Sequence, residues 1–281
     1  MEWLDEAQID AKYAVPASKI FTSNILASPG WVEVGNLWDF DWEYNVPASM
    51  TPKLFGPVGG IGVVPKILLL GNSHMKMYGP TLRKLADEYQ TPIAFATKDG
   101  FWLEIGWRDV GKALRPRISM LGDFWSGAAL AGVYTDTFDW AGLFDDILQF
   151  SDKLIVLGDI PAAHLCCDGE ALLKNEVYKK GLANGNYEFL TNIQEHPECA
   201  PVRLKVETAI QATLSLPRFA GRTSFIKMDK YFQTMAEPPM LQLVDPVTGG
   251  LIYRDPSHLN ADGARRAEQV FRKELFGQPI C

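Results

Sequence analysis

Two short segments carry side chains whose types and spacing suit proton-relayed nucleophilic chemistry. One reads Gly71-Asn72-Ser73-His74; the other reads Tyr253-Arg254-Asp255-Pro256-Ser257-His258-Leu259-Asn260. A serine hydroxyl is a weak nucleophile until a neighbouring base takes its proton. A histidine can be that base when a carboxylate holds one ring nitrogen and leaves the other free. Asp255 and His258 are close enough on a turn to bond to each other. Ser73 follows a tight exit at Gly71, where backbone amides can point at a developing negative charge. Each segment also has an ordinary structural reading. A serine between a strand and a helix is often a cap, and so is an Asp or Asn before a long helix. Occurring together, the two segments favour the chemical reading over the structural one.

The elements that must position them are periodic from residue 66 onward. Residues 66–70 (KILLL) form a short apolar run ending at Gly71, as a buried parallel strand does. Residues 81–90 place Leu82, Leu85, Ala86 and Tyr89 at helical spacing, with Pro80 suited to a first turn. Strands are expected over 93–97, 118–125 (ISMLGDFW) and 153–158 (KLIVLG), with further ones at 224–228 and 241–244. Helices are expected over 138–150, 170–180 and 261–275. Apolar strands alternating with amphipathic helices define an α/β fold, a three-layer α/β/α sandwich around a central parallel sheet. Ligands in such sheets gather past the carboxyl ends of the strands, which is where Ser73 falls. Residues 1–65 differ. Pro16, Pro29, Pro47, Pro52, Pro57 and Pro65 interrupt them and no period is sustained. They read as an irregular extension or linker remnant packed on a domain of residues 66–281.

Composition narrows the function classes. The chain has 281 residues and a formal net charge of −7, which disfavours nucleic acid as a partner in the absence of a basic cluster. Lys179-Lys180 and Arg265-Arg266 are isolated pairs and read as solvated helix faces. Residues 61–70 are the best apolar stretch. They fall well short of the roughly 20 residues that a membrane span needs and are broken by Pro65 and Lys66. The start, Met1-Glu2-Trp3-Leu4-Asp5-Glu6, is acidic where a signal peptide is basic. The expectation is a cytosolic chain, or one that has lost its addressing segment. Four cysteines make no disulfide framework; a bridge from Cys199 to Cys166 or Cys167 stays open.

Other constellations carry less. The glycines of residues 56–62 precede a strand, whereas a phosphate loop follows one, so a plain loop is expected. His164, Cys166, Cys167, His196 and Cys199 have the ligand types of a zinc site but the wrong spacing. Residues 245–250 lack the alternating oxygen ligands of a calcium loop and read as a turn.

The order Ser…Asp…His, with the last two close together near the chain end, resembles the SGNH (GDSL-type) hydrolase family. The similarity is closest to the SGNH domain appended to membrane acyltransferase-3 proteins that O-acetylate envelope polysaccharides. It is carried by KILLLGNSHMKMYGPTLRKLADEY, KLIVLGDIP and LIYRDPSHLNADGARR. The resemblance implies Ser73 as nucleophile, His258 as general base and acid, and Asp255 as orienting carboxylate. Asn72 stands where the family has Asp and can still accept a hydrogen bond. No Gly-x-Asn-Asp follows the third strand. Gly122 can donate an oxyanion amide beside that of Ser73, but an absent side-chain donor is worth about 2.7–4 kcal/mol in the transition state. His74 recurs in that branch and is expected to make a structural hydrogen bond. Trp102, Trp107 and Trp125 are candidates for sugar stacking or, more ordinarily, core packing.

The resulting expectation is a serine-dependent O-acyl esterase or acyltransferase acting on carbohydrate through an acyl-serine, with no metal or other cofactor. The implied partners are an acylated carbohydrate and a membrane acyltransferase, in an extracytoplasmic setting. Two alternatives remain: a weakly active or inactive glycan-binding or scaffolding module derived from such an enzyme and, less favoured, a zinc-dependent hydrolase using the Cys/His group.

Overall fold

The computed structural model describes residues 53–55, 66–91, 93–97, 103, 107–162, 193–234, 239–243, 252–253, 257–259 and 261–277. The expected helix at 170–180, most of the 1–65 extension, the loop at 56–62, the turn at 245–250, Trp102, Lys179-Lys180, His164, Cys166, Cys167 and Asp255 lie outside these residues.

Five strands form the parallel core: β2 (Ile67–Gly71), β3 (Ile93–Thr97), β4 (Ile118–Gly122), β5 (Lys153–Leu157) and β7 (Thr223–Ile226). Their order is β3-β2-β4-β5-β7, and β1 (Lys53–Phe55) adds an antiparallel edge to β3. This short edge strand falls inside the segment expected to be irregular. Two further strands, β6 (Ile193–Gln194) and β8 (Met240–Leu241), pair antiparallel in a separate small sheet.

The strand period of two divides the core into two packed layers. Ile67, Leu69, Ile93, Phe95, Met120, Ile155 and Leu157 face one side. There they meet α2 (Gly79–Glu88), α7 (Ala261–Arg265) and α8 (Glu268–Phe276). Leu68, Leu70, Ala94, Ala96, Leu121, Leu154 and Val156 face the other. Against them lie α3 (Trp107–Leu114), α4 (Trp125–Leu130), α5 (Trp140–Leu148) and α6 (Cys199–Leu214). Trp107 and Trp125 are both fully buried in this second layer, so of the two proposed roles they take core packing.

Four differences from the sequence reading have physical causes. The expected strand at 118–125 stops at Gly122 and Trp125 opens α4. The Asp123 carboxylate accepts the Phe124 amide at 2.8 Å, which turns the chain out of the sheet. The expected single helix at 261–275 is broken between α7 and α8. Arg266 lies at that break and is buried rather than solvated; its Nη1 donates to the Tyr231 carbonyl at 3.1 Å and to Gln242 Oε1 at 2.8 Å. Helix α3 was not anticipated. The 16-residue α6 was not anticipated either, because its buried face includes Arg203 and Glu207 among Cys199, Val206, Ile210 and Leu214.

The chain runs from β2 to β3 on one flank and then crosses to β4 on the other. The carboxyl ends of β2 and β4 are therefore the switch point, where doubly wound sheets bind ligands. There Gly71 sits in register with Gly122. A Cβ on Gly71 would lie 1.7 Å from the Gly122 carbonyl oxygen, and its φ of +146° is a glycine conformation.

Candidate active site

The turn after Gly71 is organised by Asn72. Its side chain accepts the His74 amide at 2.9 Å and caps α1 (Ser73–Lys76), which places Ser73 at the first helical position, half-buried. Met75 and Met77 beneath are buried in the first core layer and tie the turn down.

The partner arrives from the far end of the chain. Tyr253 and Leu259 form an isolated antiparallel bridge. Both are buried. The Tyr253 hydroxyl donates to the Pro161 carbonyl at 3.1 Å, and the Leu259 amide approaches Met77 Sδ at 3.5 Å. His258 is thereby held over α1. Its Nε2 lies 2.8 Å from Ser73 Oγ, joining residues 185 apart in sequence. For Nε2 to accept the serine proton, the ring's other hydrogen must sit on Nδ1. Ser257 Oγ is 3.3 Å from Nδ1. Asp255 lies outside the described residues. Gly122 closes the floor at the end of β4, packed against Met75 and Leu157.

Two further side chains converge here that the sequence reading did not assign to the site. Phe124 stacks on the His74 ring with centroids 4.2 Å apart, and Asp159 Oδ1 stands 3.4 Å from His74 Nδ1. This is an ion-pair distance to a buried carboxylate, not the hydrogen bond expected of His74. Asp159 Oδ2 accepts the Ser126 amide at 3.0 Å and the Ser126 hydroxyl at 2.8 Å. A sequence signal existed: each of the three central strands runs out into Gly followed by Asn or Asp, at Gly71-Asn72, Gly122-Asp123 and Gly158-Asp159. These short polar side chains cap the turns at one sheet edge.

Behind Asp159 lies a buried ionic cluster. The Asp159 amide donates to Glu207 Oε1 at 2.9 Å. Arg203 donates to both Glu195 oxygens at 2.8 and 2.7 Å and to Asp229 at 3.3 Å; its Nη1 lies 3.6 Å from Glu207 Oε2. Burial opposes the guanidinium charge, but these carboxylates outweigh it and raise the Arg203 pKa. For Glu207 burial wins: it pushes the carboxyl up to about 7 despite the attraction of Arg203, with Asp159 and Asp229 adding to the rise. Among the described residues no group of three or more His, Cys, Asp or Glu side chains is arranged to hold a metal ion, and no helix is long and apolar enough to cross a membrane.

A doubly wound sheet with a serine–histidine couple at its switch point is the arrangement of an SGNH-type hydrolase domain. The chain belongs to that family: the model of the SGNH domain, in the form fused to AT3 domains, matches residues 43–273. Among solved structures, it is similar to a GDSL-like lipase from Bacteroides thetaiotaomicron, at 12% identity and a TM-score of 0.46, over 87% of this chain and 99% of that one. No curated protein matches it.

Proposed function

We propose that this chain is a serine-dependent O-acyl esterase or acyltransferase, acting on acylated and in the first instance O-acetylated carbohydrate. The observation that carries the reading is the 2.8 Å approach of His258 Nε2 to Ser73 Oγ, the distance at which a base takes a nucleophile's proton. In this reading Ser73 Oγ attacks the acyl carbon while its proton passes to His258 Nε2. The oxyanion is held by backbone N–H groups, that of Ser73 first and that of Gly122 second. His258 then returns the proton to the departing sugar oxygen, leaving an acyl-serine. Water or a second sugar hydroxyl, deprotonated by the same imidazole, attacks that ester and regenerates Ser73. Asp255 is the carboxylate that holds Nδ1–H, and Asn72 supports the nucleophile by fixing the turn. Water as acceptor makes an esterase; a sugar hydroxyl makes a transferase. The family's fusion to AT3 domains supports a membrane acyltransferase as partner and source of the acyl group.

The test is hydrolysis of p-nitrophenyl acetate and of an O-acetylated polysaccharide by the wild type and by Ser73→Ala, with acetyl transfer to an oligosaccharide followed by mass spectrometry. Hydrolysis by Ser73→Ala at the wild-type rate would end the proposal.

A further inference from the structure

His74 is buried beside the reacting serine, yet the acyl transfer described above makes no use of it. Its ring lies nearly parallel to Phe124, with an interplanar angle of 11°. The His258 ring meets it with centroids 4.6 Å apart and planes inclined by 58°. Its Nδ1 faces Asp159 Oδ1 at 3.4 Å. Asp159 is itself fixed on both sides, through Oδ2 by Ser126 and through its amide by Glu207. Among the described residues Asp159 Oδ1 accepts no hydrogen bond, so the charge on that oxygen is directed at His74 rather than absorbed by another donor.

These contacts bear on the one step in which His258 changes charge. Taking the serine proton makes His258 a cation. A buried carboxylate acts on such a cation over a longer range than it would in water, because the interior screens it less. The His74 ring neighbours both, the carboxylate at 3.4 Å and the His258 ring with centroids 4.6 Å apart. Resting on the assignment of Ser73 and His258 as nucleophile and base, we propose that His74 and Asp159 are positioning residues. The His74 ring is the wall that aligns His258 on Ser73 Oγ, and the Asp159 carboxylate beside it stabilises the imidazolium that forms during acylation. Neither touches the substrate.

Other ionisable groups lie near the site, among them Lys76, buried on α1. Asp123, from the β4 exit, is committed to the Phe124 amide and the Tyr134 hydroxyl. Tyr78 follows α1. Burial first, then Tyr253 and Asp159, push its phenol well above its ordinary range, so it stays neutral. Glu207, from α6, takes the Asp159 amide and faces Arg203. Asp255, next but two before His258 in the sequence, belongs to the proposed relay itself.

The test uses the whole chain and two readouts: ester hydrolysis, and the NMR chemical shifts of the His258 ring at one fixed pH. His74→Ala is expected to lower kcat about 10–100-fold by letting the base wander, with KM for a small ester changed by less than about twofold, and to move the His258 ring signals by removing the ring beside it. His74→Phe, which keeps a ring in the same place, is expected to recover most of the lost rate. Asp159→Asn removes a negative charge that favours the imidazolium, so kcat is expected to fall about tenfold with KM little changed. Should Asp159→Asn not fold, Asp159→Ser is read in the same way. A folded His74→Ala with wild-type kcat and unmoved His258 ring signals, together with an unchanged kcat in the Asp159 variant, overturns the inference. The two readings fail separately. A wild type that neither hydrolyses esters through Ser73 nor takes a fluorophosphonate label defeats the hydrolase reading, while the His258 ring signals of His74→Ala still decide whether His74 holds that ring.

Discussion

Two buried polar constellations stand side by side at the carboxyl edge of the sheet and are built on opposite terms. Ser73 and His258 are half-buried and share one 2.8 Å contact across 185 residues of sequence. Arg203 is almost fully enclosed, and each of its three nitrogens meets a carboxylate from Glu195, Glu207 or Asp229. In the proposed function the first couple passes a proton and admits a reactant, which suits its partial exposure. The second must hold charge in place, so it is tied on every side. Breaking a buried ionic cluster costs far more than its net contribution to stability, because the partners left behind are uncompensated.

This contrast predicts a separation of effects. The largest is Ser73→Ala, which should lower esterase kcat on the order of 10⁴-fold or more while leaving the thermal midpoint unchanged. A coupled loss of stability would mean that Ser73 is structural. Arg203→Ala is the mirror case: a loss of about 3–5 kcal/mol in urea unfolding, with activity following only the folded fraction. Gly71→Ala strikes the backbone frame of the first region. The new Cβ meets the Gly122 carbonyl at a backbone φ of +146°, and destabilisation of about 3 kcal/mol is expected, with slower fluorophosphonate labelling of Ser73 in the protein that does fold.

The smallest effect is a pH dependence. Glu207 has its carboxyl held up to about 7 against an ordinary 4.5, so the folded state binds more protons than the unfolded one between those values. Its contribution is fully present below about pH 4.5 and is lost as pH rises to about 7, a change on the order of 2–3 kcal/mol. Glu207→Gln should flatten that part of the stability profile. Identical profiles for the two proteins between pH 5 and 8 would show that Glu207 is ionised throughout.

The same contrast explains what the sequence made legible. Strands β2, β3, β4 and β5 are largely apolar and almost wholly buried, so they could be read directly; β7, which begins Thr223-Ser224 and is half-buried over its first three residues, gave a weaker pattern. The Ser73–His258 pairing was legible because only particular residue types suit a nucleophile and a base, and both types stood in short motifs at the two ends of the regular segment. Helix α6 was hidden by the ionic cluster itself: Arg203 and Glu207 occupy core-facing positions, so a face that is regular in space looks broken in hydrophobicity. Asp159 was hidden for a related reason. An Asp after a strand reads as a turn residue, and only the fold brings it to His74. Arg266 was taken for a solvated charge because its partners, Tyr231 and Gln242, are distant in sequence.

The close approach of Gly71 to Gly122 has a consequence for how such a domain can change its substrate. The seat of Ser73 is set by two main chains in direct contact, with no intervening side chain to be mutated. Under the proposed function, surrounding loops can then be rewritten for another donor or acceptor while the serine oxygen stays at the same point in space.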